Sequence, residues 1–395
     1  MLGAALVLFL VGSNVQAGWL FVLAATILGV VAAGLVAPVA AVRGIEVTRR
    51  VASSSRAGDP VYVELRVHNA GRGERRAVEG SDDFCGLTPF LVERLPPGVA
   101  ATLRYEVVPI RRGIYPGGPV ELASASPFGI SLARRRFQLG SPMIVHPRWV
   151  PLRSFPLLEA ASTPNEPLHE RRRRGAGLEF YGLRDYRSGD SLRHVHWPST
   201  ARGGRLLVRE FEEQLASRLG IVIDAGERVG KEPATTFEDA VACAASLLVY
   251  ALEAGHPVQL LCDSKEGLRH LLDPARIDAL DWLAALEADG RRGLARVAEE
   301  AIGEIHRRST NVLIFPGTRR NVEEAPRAVS ILQERSARVI AVMLSAPSYD
   351  AVSSSALRPE EEQRLIDQLE AARTIVYRVR MGEGLEHCLS EPPTH

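Results

Sequence analysis

The sequence predicts a multidomain chain in three parts: an N-terminal transmembrane helical hairpin, an antiparallel β-sandwich, and a C-terminal α/β domain on a mainly parallel sheet. Three observations predict it. No charged side chain occurs from Met1 to Ala41. Apolar residues then alternate with polar ones, between turn residues, from Ile45 to Leu139. From Arg218 onward, apolar strand-like runs alternate with helical stretches. At 395 residues the chain is too long for one ordinary domain. Its 46% apolar and 24% charged residues are those of a globular protein. A net charge of +1 gives no general pull toward nucleic acid or an acidic partner. Cys85, Cys243, Cys262 and Cys388 stand far apart with no C-x-x-C pair, so neither a zinc site nor a redox dithiol is indicated.

The uncharged stretch, residues 1–42, breaks at Gly12-Ser13-Asn14-Val15-Gln16-Ala17-Gly18. The second half, Trp19 to about Val42, is long enough to span roughly 30 Å of hydrocarbon. The first is short for a span, which leaves open an upstream start codon or a thin or re-entrant helix. A cleaved signal peptide is the competing reading, but no basic segment precedes the apolar run. Arg43, Arg49 and Arg50 flank the second stretch. The positive-inside bias therefore places the bulk of the chain in the cytoplasm, anchored in the inner (plasma) membrane.

Residues 43–140 read as the sandwich. Val61, Val63, Leu65 and Val67 alternate with polar neighbours, and similar strands are expected at Ile45–Val51, Ala101–Val108, Pro119–Ser124 and Ile130–Phe137. Turns at Pro96-Pro97-Gly98, Pro116-Gly117-Gly118 and Pro127-Phe128-Gly129 separate them. Many short strands without an intervening helix imply an immunoglobulin-like topology. Nothing in the region looks catalytic.

Residues 141–217 form a linker and an Arg/Asp-rich segment. Between His169 and Arg209 ten arginines face four acids, a local excess of six. The run Arg171 to Arg174 reads as a solvated linker or a face near anionic lipid. The aromatics are not spaced as stacking platforms for nucleic acid. Arg184, Asp185, Asp190, Arg193 and Arg202 alternate in charge, and guanidinium forks of this kind satisfy several acceptors at once. Gly189-Asp190 suggests a turn whose carboxylate caps a following helical turn. His194 and His196 flank Val195, and on a strand they would share a face. Together with Asp190 and Asp185 they form the one constellation that could support hydrolase-type chemistry. The pair could also ligate a metal, although two histidines without a third convergent ligand are a weak signal for one.

The run Gly177-Leu-Glu-Phe, Leu183-Arg-Asp-Tyr186, Ser188-Gly189-Asp190, Leu192-Arg193, His196-Trp197 and Ser199-Thr-Ala201-Arg202 resembles the signature of the bacterial "domain of unknown function 58" family. The order of apolar hairpin, β domain with Arg111-Arg-Gly-Ile-Tyr-Pro-Gly-Gly-Pro-Val and Ser126-Pro-Phe-Gly, and final α/β domain is similar to that family along the whole chain. The resemblance implies no established enzymatic activity. It also implies a MoxR-type AAA+ ATPase as partner and a role in assembling or remodelling protein complexes.

In residues 218–395 the expected order is strand Leu219–Asp224, a helix to Glu253 opened by a capping box at Thr235-Thr-Phe-Glu238, and a hairpin of Val258–Cys262 and Leu268–Leu272. Asp273-Pro274 reads as a cap and first helical residue. Helices then end near Ala288 and Arg307, followed by strand Asn311–Phe315, helix Val322–Arg335, strand Ala337–Leu344, helix Pro359–Ala372 and strand Thr374–Val379. One early hairpin in an otherwise parallel alternation looks like the von Willebrand factor A fold. That likeness implies a divalent-cation site of Asp-x-Ser-x-Ser, a threonine and an aspartate at the sheet's carboxyl edge. Here Asp224 remains, but Gly226 and Arg228 replace both serines. The loop Asp289–Gly293 has no threonine and Phe315-Pro316-Gly317 no aspartate, so no metal and no cofactor are expected, with Arg228 placing a cation where the metal would sit.

The function expected from these readings is a non-enzymatic membrane-anchored scaffold, held by residues 1–42 in the bilayer and binding protein rather than nucleic acid. The alternative is a hydrolase using His194, His196 and Asp190. No G-x-x-x-x-G-K-[ST] occurs, which excludes this chain from being a P-loop ATPase.

Overall fold

The computed structural model describes residues 1–155, 178–186, 195–197, 199–200, 205–213, 218–305, 309–336, 338–350 and 352–390. Two compact units result: Met1–Arg148 with Leu280–Leu286, and Trp149–Ala279 with Glu287–His395.

The uncharged N-terminus forms helices α1 (Leu2–Val15) and α2 (Gly18–Val42). Gln16 closes α1 in the left-handed region, and Phe9 meets Phe21 edge-on with ring centroids 5.4 Å apart, so α1 folds back along α2. Only α2 among the described helices is long and apolar enough to cross a membrane. Its 25 residues cover roughly 37 Å at 1.5 Å each. The 14 residues of α1 cover about 21 Å, short of a ~30 Å hydrocarbon layer.

Ten strands follow: β1 (Ile45–Arg50), β2 (Ser54–Arg56), β3 (Val61–Asn69), β4 (Arg75–Asp83), β5 (Leu87–Leu95), β6 (Ala100–Val107), β7 (Gly113–Tyr115), β8 (Pro119–Ser124), β9 (Ala133–Gln138) and β10 (Met143–His146). They form an antiparallel sheet β1-β3-β6, a second antiparallel sheet β5-β4-β8-β9, and a small sheet β2-β10-β7. Period-two alternation turns Ile45, Val47, Leu65 and Val67 inward from the first sheet, against Val78, Val92, Val120 and Leu122 of the second. The hairpin β4–β5 was not expected from sequence. The last expected strand also begins at Ala133 rather than Ile130, because Ile130 and Ser131 are taken up against α2. Strand β10 carries this unit past residue 140, to Arg148.

An ion pair ties the two sheets together. Arg49 of β1 donates through Nε to Asp82 Oδ2 of β4 at 2.9 Å and pairs again through its second nitrogen, and both side chains are fully buried. The same guanidinium donates to Gly118 O at 2.8 Å and lies 4.9 Å from the Phe84 ring centroid. Tyr105 of β6 donates to Asp82 Oδ2 at 2.5 Å, and burial followed by this bond to a carboxylate holds its hydroxyl well above the ordinary phenol range. Gly118 is obligatory, since a Cβ there would stand 1.5 Å from Asp83 O. Arg49, expected as a membrane-flanking charge, is thus a core residue.

The second unit holds a two-stranded ribbon, β11 (Leu178–Asp185) with β12 (Leu207–Glu213), bulged between Phe180 and Gly182. Next come β13 (Leu219–Ile223), β14 (Gly230–Lys231), β15 (Ala234–Thr235), α3 (Thr236–Glu253), β16 (Val258–Ser264), β17 (Gly267–Leu272), α4 (Arg276–Ala284), of which Leu280–Ala284 falls in the first unit, and α5 (Leu294–Ala301). They are followed by β18 (Thr310–Pro316), α6 (Asn321–Gln333), β19 (Arg338–Leu344), α7 (Ala346–Tyr349), α8 (Pro359–Ala371), β20 (Ile375–Val379) and α9 (Leu385–Ser390). The main sheet runs β17-β16-β13-β18-β19-β20, parallel except for β17. Every residue of β13, β16 and β18 is buried, as a central parallel strand covered on both faces requires. Thr235 caps α3 through Glu238 N at 3.2 Å. Asp273 does not cap α4: it sits at a φ of 47°, Arg218 engages both its carboxylate oxygens, and the helix starts at Arg276.

Removing one partner of the Arg49–Asp82 pair leaves an uncompensated buried charge, a loss of roughly 3–5 kcal/mol. In equilibrium unfolding of the detergent-solubilised chain, Asp82→Ala is expected to lower the stability of the β unit by that order. The double change Arg49→Met with Asp82→Leu is expected to cost less than Asp82→Ala alone.

Candidate functional site at the carboxyl edge of the parallel sheet

In the main sheet β13 lies between β16 and β18, and the chain order reverses there. Connections that leave in opposite directions open a crevice beyond the carboxyl ends of those strands, where α/β proteins place their sites. Three loops meet at this edge: residues 224–228 after β13, residues 289–293 before α5, and residues 317–321 after β18. The backbone stitches them together. Asp224 N donates to Ile314 O at 2.9 Å, and Gly290 N donates to Ala225 O at 3.0 Å.

Asp224 is buried and its carboxylate is already engaged. Gly226 N donates to Oδ1 at 2.8 Å and Asn321 Nδ2 donates to Oδ2 at 2.9 Å, while Asn321 also donates to Pro316 O at 3.0 Å. Burial raises the Asp224 pKa; the Gly226 and Asn321 hydrogen bonds and the nearby Arg320 cation oppose that rise. Arg320 reaches across the crevice and donates to Arg292 O and, at 3.5 Å, to Arg291 O. A Cβ on Gly226 would stand 2.5 Å from an Arg320 terminal nitrogen and 3.1 Å from Asp224 Oδ1. The guanidinium therefore occupies the space that a side chain at 226 would need.

Arg228, expected as the cation beside Asp224, points elsewhere and pairs with Glu232 at 2.6 Å on the surface. Arg320 takes that place instead. Beside it, the buried Asp263 accepts from Arg291 N at 2.8 Å and Arg292 N at 2.9 Å, with Arg292 Nε 3.0 Å from its other oxygen. Glu362 of α8 accepts from Ser345 Oγ at 2.9 Å and pairs with Arg378. Thr318 Oγ1 and Asn321 Oδ1 are buried without a hydrogen-bond partner among the described residues. Among those residues no group of three or more His, Cys, Asp or Glu side chains is placed to hold a metal.

The Arg/Asp-rich segment is described only in part. Arg184 and Asp185 lie on β11, opposite Val208 and Leu207, and Tyr186 N continues the ladder to Leu206 O at 2.8 Å. His196 N donates to Leu207 O at 2.8 Å, His196 Nδ1 lies 2.8 Å from Ser199 Oγ, and Trp197 is exposed. Thr200 Oγ1 accepts from Leu207 N at 3.0 Å, so this turn is laced to β12. Gly189, Asp190, Arg193, His194, Ala201, Arg202 and the run Arg171 to Arg174 lie outside the described residues. Arg320, Asn321 and Asp263 were missed in the sequence: Asp263 looked like a turn residue, and no spacing marks the other two.

A chain with an apolar N-terminal helix, a sheet-rich middle region and a parallel-sheet α/β unit is the class that this geometry defines. The family described as "Protein of unknown function DUF58" matches residues 182–355. An "Uncharacterized protein YeaD" of Bacillus subtilis (strain 168) is 23% identical over 228 residues, covering 55% of this chain and 53% of its own. The chain thus spans about half the length of that curated relative. Among solved structures, the CARDB domain of a Pyrococcus furiosus protein covers 24% of this chain at 13% identity and a TM-score of 0.18, with 86% of that domain matched. A Vibrio harveyi GH20 exo β-N-acetylglucosaminidase covers 84% of this chain and 66% of its own at 11% identity, with a TM-score of 0.19.

A carboxyl whose pKa is higher in the folded than in the unfolded chain binds its proton more tightly when folded. Its contribution is then most favourable below the unfolded value, about 3.9 for Asp, and is lost as pH rises through the folded value. Denaturant midpoints of the α/β unit are expected to fall across that window, and Asp224→Asn is expected to flatten the slope.

Proposed function

We propose that this protein is a non-enzymatic membrane-anchored scaffold whose α/β unit docks a partner protein, a MoxR-type AAA+ ATPase, in the assembly or remodelling of protein complexes. The observation that carries the reading is the crevice at Asp224: its carboxylate is held by Gly226 and Asn321, and the Arg320 guanidinium lies over Gly226. An edge filled by its own side chains favours recognition through surface shape and charge over coordination of a ligand through a metal. The von Willebrand factor A-like reading is supported by the sheet order and by β17 being its one antiparallel strand. The ATPase partner rests on the resemblance of the signature segment and on the family match over residues 182–355. Placement in the inner membrane with the bulk of the chain in the cytoplasm is supported by α2 and by Arg43 and Arg50, which are exposed beyond its end. The hydrolase alternative needs His194 and Asp190, and the one described member of its trio, His196, is engaged within its own turn.

Affinity purification of the full chain from solubilised membranes, with cross-linking and a non-hydrolysable ATP analogue, is expected to recover an AAA+ ATPase. The rim arginines Arg291 and Arg319 are exposed. Arg291→Glu with Arg319→Glu is expected to abolish that recovery while leaving the unfolding midpoint unchanged. Recovery of no ATPase from the native chain would overturn the proposal.

A further inference from the structure

The turn between β8 and β9 is apolar and stands against the side of α2. Ser131 Oγ donates to Gly34 O at 2.7 Å, and a Cβ on Gly34 would stand 2.6 Å from Ile130 Cδ1, so Ile130 rests directly on the helix backbone. A polar bond to a helix carbonyl and a glycine that admits a β-branched side chain make this a specific contact. Phe128 and Leu132, on either side of Ile130, are about half exposed, at 51% and 52%. On α2 the stripe Val31, Gly34, Pro38 and Val42 is buried, with Val42 in the sandwich core, while Leu35, Val36 and Val39 face outward.

The level of the contact along α2 decides what covers the turn. With Trp19 at one boundary of a ~30 Å hydrocarbon layer, and 1.5 Å per residue, the other boundary falls near residue 39. Gly34 then lies about 7 Å inside the apolar layer. Strand β9 starts at Ala133, and Arg134, Arg135 and Arg136 follow, all three exposed. At about 3.3 Å per strand residue, two residues of chain let Arg134 reach about 7 Å beyond Leu132, the distance from that depth to the headgroups. Arg134 lies 3.5 Å from Glu121 with 65% of its side chain still exposed, and the Arg135 guanidinium stacks on Phe137. Apolar residues at acyl depth with guanidinium groups one step above them match the profile of an anionic bilayer surface.

We infer that residues 127–132 form a second membrane anchor: Phe128, Ile130 and Leu132 insert into the acyl region beside α2, and Arg134–Arg136 bind anionic lipid headgroups. This rests on α2 being a membrane span. It assigns a bilayer contact to the β unit, beyond the helical anchor, and fixes the orientation of that unit at the membrane surface.

The test uses the full chain in nanodiscs of phosphatidylcholine or phosphatidylglycerol with brominated acyl chains, reading tryptophan emission over that of the native chain. Leu35→Trp reports whether α2 is in the bilayer, and Phe128→Trp and Leu132→Trp report the turn. Blue-shifted, bromolipid-quenched emission at all three positions is expected. Quenching of Leu35→Trp with none at either turn position would overturn the second anchor while leaving the span intact. No quenching at any position would overturn the span and the inference with it. Quenching at Phe128→Trp is expected to be stronger in phosphatidylglycerol, and Arg134→Gln with Arg135→Gln and Arg136→Gln to erase the difference. Equal quenching in the two lipids would remove the headgroup contact.

Discussion

A carboxylate taken out of water has to be compensated, and the carboxyl edge of the parallel sheet is organised around that requirement at Asp224. In a ligand-binding edge a cation meets the need. Here a backbone N–H, an asparagine amide and a neighbouring guanidinium meet it from within the chain. The two central strands cannot move apart without breaking these bonds, since Asp224 N is itself held by Ile314 O. The edge is therefore preorganised by bonds within the chain, with Arg291 and Arg319 exposed at its rim.

The same physics recurs in the β unit with different partners. Asp82 would be untenable in the middle of a sandwich, yet Arg49 and Tyr105 both donate to it, and the Gly118 carbonyl accepts from the same guanidinium. Such a pair adds little net stability over a hydrophobic filling but is costly to break. It fixes β1 against β4 and so fixes the exit of α2 into the sandwich, where Val42 and Ile45 share one core.

Much of the architecture was legible because it follows from periodicity and capping. Residues 219–223, 310–316 and 338–344 are apolar nearly throughout, as buried parallel strands must be, and Thr235 with Glu238 marked the start of α3. The β4–β5 hairpin was hidden because β4 turns only Val78 and Asp82 fully inward, and a buried acid reads as an exposed one until its partner is known. Arg49 carries the converse lesson. Alternation with Ile45 and Val47 already put it on the inward face, but its charge, just past an apolar helix, suggested a membrane flank. Arg320 was illegible, since nothing in Gly317-Thr-Arg-Arg-Asn321 says which arginine turns toward a carboxylate about a hundred residues away in sequence, a distance that only the strand order closes. Arg228, two residues past Gly226, looked the better candidate and instead pairs locally with Glu232.

The Asp224 carboxylate is compensated from within the chain, by Gly226 N, Asn321 Nδ2 and the nearby Arg320 cation. Titration of Mn²⁺, as a paramagnetic probe for Mg²⁺, into the detergent-solubilised full chain tests it most directly. No saturable binding is expected in the native chain. Saturable, stoichiometric binding that disappears in Asp224→Asn would contradict it.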